Sequence, residues 1–102
     1  MIDNTMMPKE EIIKRLKQFK QKNQTVYRFS KLGIFGSVAR GENHKDSDID
    51  IIIEQETPDL FILGSIKNDL EEEFGVKVDI VRLHDRMNDF LKNRIKRDCI
   101  YV

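Results

Sequence analysis

The stretch Phe35-Gly36-Ser37-Val38-Ala39-Arg40-Gly41, followed after a polar loop by Ser47-Asp48-Ile49-Asp50-Ile51-Ile52-Ile53, decides how this chain folds. Lys31 to Phe35 is a short, mostly apolar run that stops at Gly36 and reads as a strand. Val38 to Gly41 leaves room for one helical turn, and Glu42 to Ser47 reads as a loop. Ile49, Ile51, Ile52 and Ile53 are β-branched and form the clearest strand in the sequence. Apolar residues on both faces beyond Asp50 mark it as central and covered.

Helical patterns flank this centre. Ile12, Ile13, Leu16 and Phe19 fall on one stripe behind Pro8, whose missing N–H suits a first helical turn, and Asn23 to Thr25 is expected to break the pattern. Thr57 is expected to cap a second helix with Pro58 in its first turn. Leu63, Ile66, Leu70 and Phe74 form that helix's buried face, and Gly75 ends it. Lys77 to Leu83 reads as a third strand around Val78, Ile80 and Val81. A short helix carrying Met87, Phe90, Leu91 and Ile95 follows, with His84 and Asp85 at its cap, and Cys99 to Val102 reads as an edge strand. The expected architecture is α/β (α+β), a small mixed sheet with helices packed on it. Its 102 residues suit a single domain, residues 1–102, with 1–7 as a loose arm.

Composition narrows the function less than the motif does. Eighteen basic and eighteen acidic residues cancel, so net charge argues neither for nor against nucleic-acid binding. Their distribution is uneven. Between Glu42 and Glu73 there are eleven acidic residues and two basic ones, whereas Lys9 to Lys22 holds six basic and two acidic. A single cysteine, Cys99, excludes an internal disulfide and fits a buried apolar role better than a nucleophilic one. Two histidines and one distant cysteine make a zinc site a poor reading. With no membrane-length apolar run and no signal-peptide core, the expected location is cytoplasmic.

The motif offers a specific chemistry. Gly36-Ser37 leaves a strand, so its backbone N–H groups are free to meet phosphate, with the Ser37 hydroxyl as one more donor. Ten residues later, Asp48 and Asp50 are two apart on a strand, with carboxylates on one face about 7 Å apart along the chain. Like charges that close repel. A divalent cation removes the repulsion, and magnesium favours carboxylate oxygens completed by substrate phosphates. Two such ions could activate a hydroxyl and stabilise a pyrophosphate leaving group. An isolated Asp-x-Asp is usually a surface pair; joined to the upstream Gly-Ser and the isoleucine strand, it reads as a metal site. Asp79, between Val78 and Ile80, is expected in a buried run, where an unpaired charge is costly. It either shares the metal or pairs with Lys77 or Arg82. Arg40 either neutralises phosphate charge or pairs with Glu42 or Asp46.

Gly36-Ser37-x10-Asp48-x-Asp50 with a third carboxylate at Asp79 resembles the DNA polymerase beta-like nucleotidyltransferase superfamily. The small size, the run from Phe35 to Gly41 and the ending Ile100-Tyr101-Val102 are similar to its minimal branch. The resemblance implies that Asp48 and Asp50 bind two magnesium ions. It implies that Asp79 helps bind the catalytic ion and assists deprotonation of the acceptor hydroxyl, while Gly36 and Ser37 hold the triphosphate of ATP. It also implies a partner, because members of this branch are often paired with a small helical HEPN ribonuclease toxin and attach AMP to one of its tyrosines as antitoxin. Transfer to a small molecule or an RNA end, and a non-catalytic nucleotide-binding partner protein, are the competing readings. Arg82, Arg86, Arg94, Lys96 and Arg97 form a basic cluster, either a solvated face or a docking surface for an acidic partner or RNA. His44 reads as an exposed loop residue, and Tyr27 and Tyr101 as packing residues.

Overall fold

A computed structural model of the chain describes residues 7–44 and 47–102. The expected arm, apart from Met7, and Asp46 as an ion-pair partner lie outside them. The elements run α1 (Lys9–Tyr27), β1 (Phe29–Phe35), α2 (Gly36–Ala39), β2 (Ile49–Gln55), α3 (Leu60–Phe74), β3 (Val78–Arg82), α4 (Asp89–Asp98) and β4 (Ile100–Tyr101). The mixed α/β architecture is the expected one. Its four strands lie in the order β3-β2-β1-β4. β1 is antiparallel to β2 and to β4, whereas β2 and β3 are parallel.

Alternation along β2 sorts the core into two layers. Ile51 and Ile53 point to one face, where they pack with Ile12 and Leu16 of α1 and with Ile66 and Leu70 of α3. Ile52 points to the other, where Phe35, Met87 and Ile95 enclose it beneath α4. Asp50 shares the Ile52 side. β2 is buried on both faces, as a central strand must be.

Several local expectations are corrected. α1 does not break at Asn23–Thr25 but continues to Tyr27, where Arg28 turns left-handed (φ 57°) and donates its N–H to Gln24 O. Tertiary contacts override the weak local propensity: the Tyr27 hydroxyl meets Asp69 Oδ2 at 2.6 Å and its ring stacks on Phe19. The cap of α3 is Asp59, not Thr57; its Oδ1 accepts from the N–H groups of Phe61 and Ile62. Gln55 holds Asp59 from both sides of the backbone, which fixes the start two residues later. The cap of α4 is Asn88 rather than His84 or Asp85. That phase turns Leu91, Arg94, Ile95 and Asp98 inward and leaves Phe90 exposed. Gly75 ends α3 in the left-handed region as expected.

Candidate active site

The strand register builds the site. Phe35 pairs with Asp50 across β1 and β2, and Asp50 pairs with Asp79 across β2 and β3. Residues in register on neighbouring strands share a face roughly 5 Å apart. Asp48, two positions before Asp50, is exposed at the entrance to β2. The entrance is fixed by Ile49 N–H donating to Lys77 O at 3.0 Å and Val78 N–H donating to Glu71 Oε2 at 2.9 Å. Three carboxylates thus meet where β2 and β3 begin and β1 ends.

Gly36 begins α2 at φ 74°, a backbone conformation that disfavours any side chain. A Cβ there would run into Asp50 Oδ2. The turn therefore lies directly against the carboxylate, and Ser37 is half-buried beside it. Gly36 thus lies against Asp50 and Asp50 stands in register with Asp79, while Ser37 and Asp48 flank them along the chain.

Asp79 departs from expectation in one respect. It is exposed, because β3 is an edge strand and its first residues have open space outside them. The ion pairs among the described residues do not include Asp79, so the alternative of a salt bridge to Lys77 or Arg82 is not realised. Beside it an open cleft of about 840 Å³ is lined by Asp48, Asp79, Lys67, Glu71 and Lys77.

Electrostatics concentrate on Asp50. Partial burial raises its pKa above the ordinary 3.8, and the nearby Asp79 charge adds to the shift; Arg94 opposes it, Asp48 adds further, and Arg40 opposes it more weakly. Ionised Asp50 is therefore short of positive charge. Among the described residues no three His, Cys, Asp or Glu side chains are arranged to hold a metal ion by themselves.

Arg40 is engaged elsewhere. Its Nε donates to Glu42 Oε1 at 2.8 Å and its Nη1 to Asp98 Oδ2 at 2.9 Å. Glu42 was a foreseeable partner; Asp98, 58 residues away, was not. Asp98 is nearly enclosed, its side chain 7 % exposed, and it also accepts from Arg97. Hydrogen bonds from Arg97 and Arg40 hold its carboxyl below the usual range. The basic cluster therefore divides: Arg86, Lys96 and Arg97 are exposed, whereas Arg82 and Arg94 are half-buried. The sequence reading missed Arg94 and Asp98 because both were counted by charge instead of by helical phase. His44 is exposed, and burial pushes the Cys99 thiol up, away from a nucleophilic role.

The sequence profile of the family described as "nucleotidyltransferase domain" matches residues 10–102. A Methanocaldococcus jannaschii protein, provisionally assigned as a protein adenylyltransferase, is 38 % identical over 93 residues, 90 % of this chain and 95 % of that protein. The protein adenylyltransferase MntA of Thermococcus cleftensis is 31 % identical over 98 residues, 95 % of this chain and 98 % of the relative. A solved structure provisionally assigned as a minimal nucleotidyltransferase superposes with a TM-score of 0.72 at 32 % identity, covering 92 % of this chain and 95 % of its own. A chain from the complex of a tri-AMPylated Shewanella oneidensis HEPN toxin with its MNT antitoxin superposes at 0.66, covering 91 % of this chain and 70 % of its own. At 17 % identity that last match speaks for the fold alone.

Proposed function

Because this chain belongs to the nucleotidyltransferase domain family and is a nucleotidyltransferase of the minimal type, we propose that it transfers AMP from ATP to a protein partner. The acceptor is the hydroxyl of a tyrosine on a cognate HEPN ribonuclease toxin, which the modification silences, so that this chain acts as the antitoxin. The observation that carries the reading is the register that sets Asp50 beside Asp79, with Asp48 two residues ahead and Gly36 against the Asp50 carboxylate. The close relatives carrying the name protein adenylyltransferase support the choice of AMP and of a protein acceptor.

The residues suit magnesium. All three donors are carboxylates, and neither Asp50 nor Asp79 has an ion-pair partner among the described residues. Magnesium is bound through one or two carboxylates and keeps positions for water and substrate phosphate. Asp48, Asp50 and Asp79 would hold two ions, which supply charge neutralisation for the phosphates and a more acidic acceptor hydroxyl.

The chain's own groups do the rest. Gly36 and Ser37 receive the triphosphate with backbone N–H groups and the Ser37 hydroxyl. The acceptor oxygen forms a bond to the α-phosphorus while the bond to the bridging oxygen of pyrophosphate breaks. Pyrophosphate leaves, and the hydroxyl proton passes toward Asp79. Arg40, tied to Glu42 and Asp98, braces the end of the turn against α4. No helix among the described residues is long and apolar enough to cross a membrane, and a cytoplasmic setting supplies ATP and magnesium.

Incubation of the chain with α-labelled ATP, magnesium and its cognate HEPN partner tests the proposal. Label is expected on a tyrosine of the partner, with loss of ribonuclease activity. Label on RNA or a small molecule would replace the acceptor assignment. Neutralisation of the toxin with no label anywhere would favour a binding partner without catalysis.

A further inference from the structure

α4 covers the face of the sheet that carries Asp50. Ile95, 3 % exposed, packs with Phe35 and Ile52. Phe35 is the register partner of Asp50 and immediately precedes Gly36. One turn along the same inward stripe, Asp98 reaches Arg40 at the end of α2. Arg94 is adjacent to Ile95 and lies one turn before Asp98 on that stripe, which sets it on the side of α4 that faces Phe35 and the end of α2. Arg94 is half-buried, yet no carboxylate among the described residues pairs with it. Its guanidinium is thus outside every ion pair of the described residues, whereas Arg40, the other arginine at this site, is already occupied by two carboxylates.

We infer that Arg94 is a phosphate-binding residue of the nucleotide site, supplying from α4 the planar pair of donors that a polyphosphate takes and that Arg40 is held from giving. The inference rests on the nucleotidyltransferase reading of the site and adds a wall to it, opposite the backbone donors of Gly36 and Ser37. Arginine suits the role because its fork donates to two phosphate oxygens at once, whereas lysine is a point charge. Arg94 is thereby removed from the exposed basic surface to which its sequence neighbours Lys96 and Arg97 belong.

Calorimetric titration of the unaltered chain, Arg94→Met and Arg94→Lys with ATP and with AMP, each with magnesium, decides the matter. Arg94→Met keeps the apolar stem and should weaken ATP binding roughly tenfold to a hundredfold, the loss of one or two charge-assisted contacts. AMP, with a single phosphate, should lose far less. Arg94→Lys should recover only part of the ATP affinity, and it serves as the decisive variant should Arg94→Met fail to fold. Unchanged ATP affinity in the folded variants, or an equal loss for ATP and AMP, overturns the inference. Failure of the unaltered chain to bind ATP overturns the reading of the whole site instead.

Discussion

Gly36 and Asp50 touch: the position a Cβ would take on the glycine is filled by the Asp50 carboxylate. The glycine also holds φ 74°, so two independent constraints exclude a side chain. Gly36→Ala should therefore lose roughly 1–2 kcal/mol through the left-handed backbone alone, and displace Asp50 as well. Urea unfolding with ATP titration measures both. A variant of unchanged stability and ATP affinity would mean that the turn does not press on the carboxylate.

Asp50→Asn separates folding from chemistry. The raised pKa means that the ionised carboxylate opposes folding above the ordinary value of 3.8, so stability drains away as pH rises through the folded pKa. Removing the charge should raise Tm at pH 7, and the gain should vanish below about pH 4. Label transfer to the partner should drop by orders of magnitude. Retained transfer in the folded variant would refute the metal role.

Asp98→Asn has the opposite sign. Its carboxyl is held below 3.8, so its stabilising contribution is present at neutral pH and disappears as pH falls through the folded value. The variant should melt below the unaltered chain at pH 7, and the two melting curves should converge in acid. Because the partners Arg40 and Arg97 are exposed, added salt should narrow the gap at neutral pH too. A gap independent of both pH and salt would assign the loss to packing.

Arg86 and Lys96 remain candidates for docking an acidic partner, since both are exposed and neither pairs with a carboxylate among the described residues. Arg86→Glu with Lys96→Glu should slow association with the partner at low salt and leave ATP affinity untouched. Surface plasmon resonance and nucleotide titration read the two effects separately. An unaltered association rate would make this a solvated helix face.

The sequence carried most of the site because the chemistry sits on one strand entrance and one turn. Asp48, Asp50 and the isoleucines after them state both a strand and a pair of carboxylates, and Gly36 states a close approach. What escaped was set by contacts between distant segments. The end of α1 depends on Asp69 holding Tyr27, and the start of α3 on Gln55 holding Asp59. The exposure of Asp79 follows from β3 lying at the sheet edge, which no local pattern reveals. Arg94 looked like one charge in a run, because its role depends on the phase that Asn88 imposes on α4.

The pairing of β4 with β1 has a consequence for how the chain is made. Gly33 and Ile34 leave the ribosome early, yet their neighbours on one side, Tyr101 and Ile100, follow roughly seventy residues later. For the seconds of synthesis in between, β1 can pair with β2 as soon as that strand emerges, but its other margin stays open to any extended segment nearby. The nascent chain is thus most exposed to misassociation at the strand that ends in the glycine-serine turn. Its protection arrives with β4, when Val102 N–H closes onto Leu32 O at 2.9 Å.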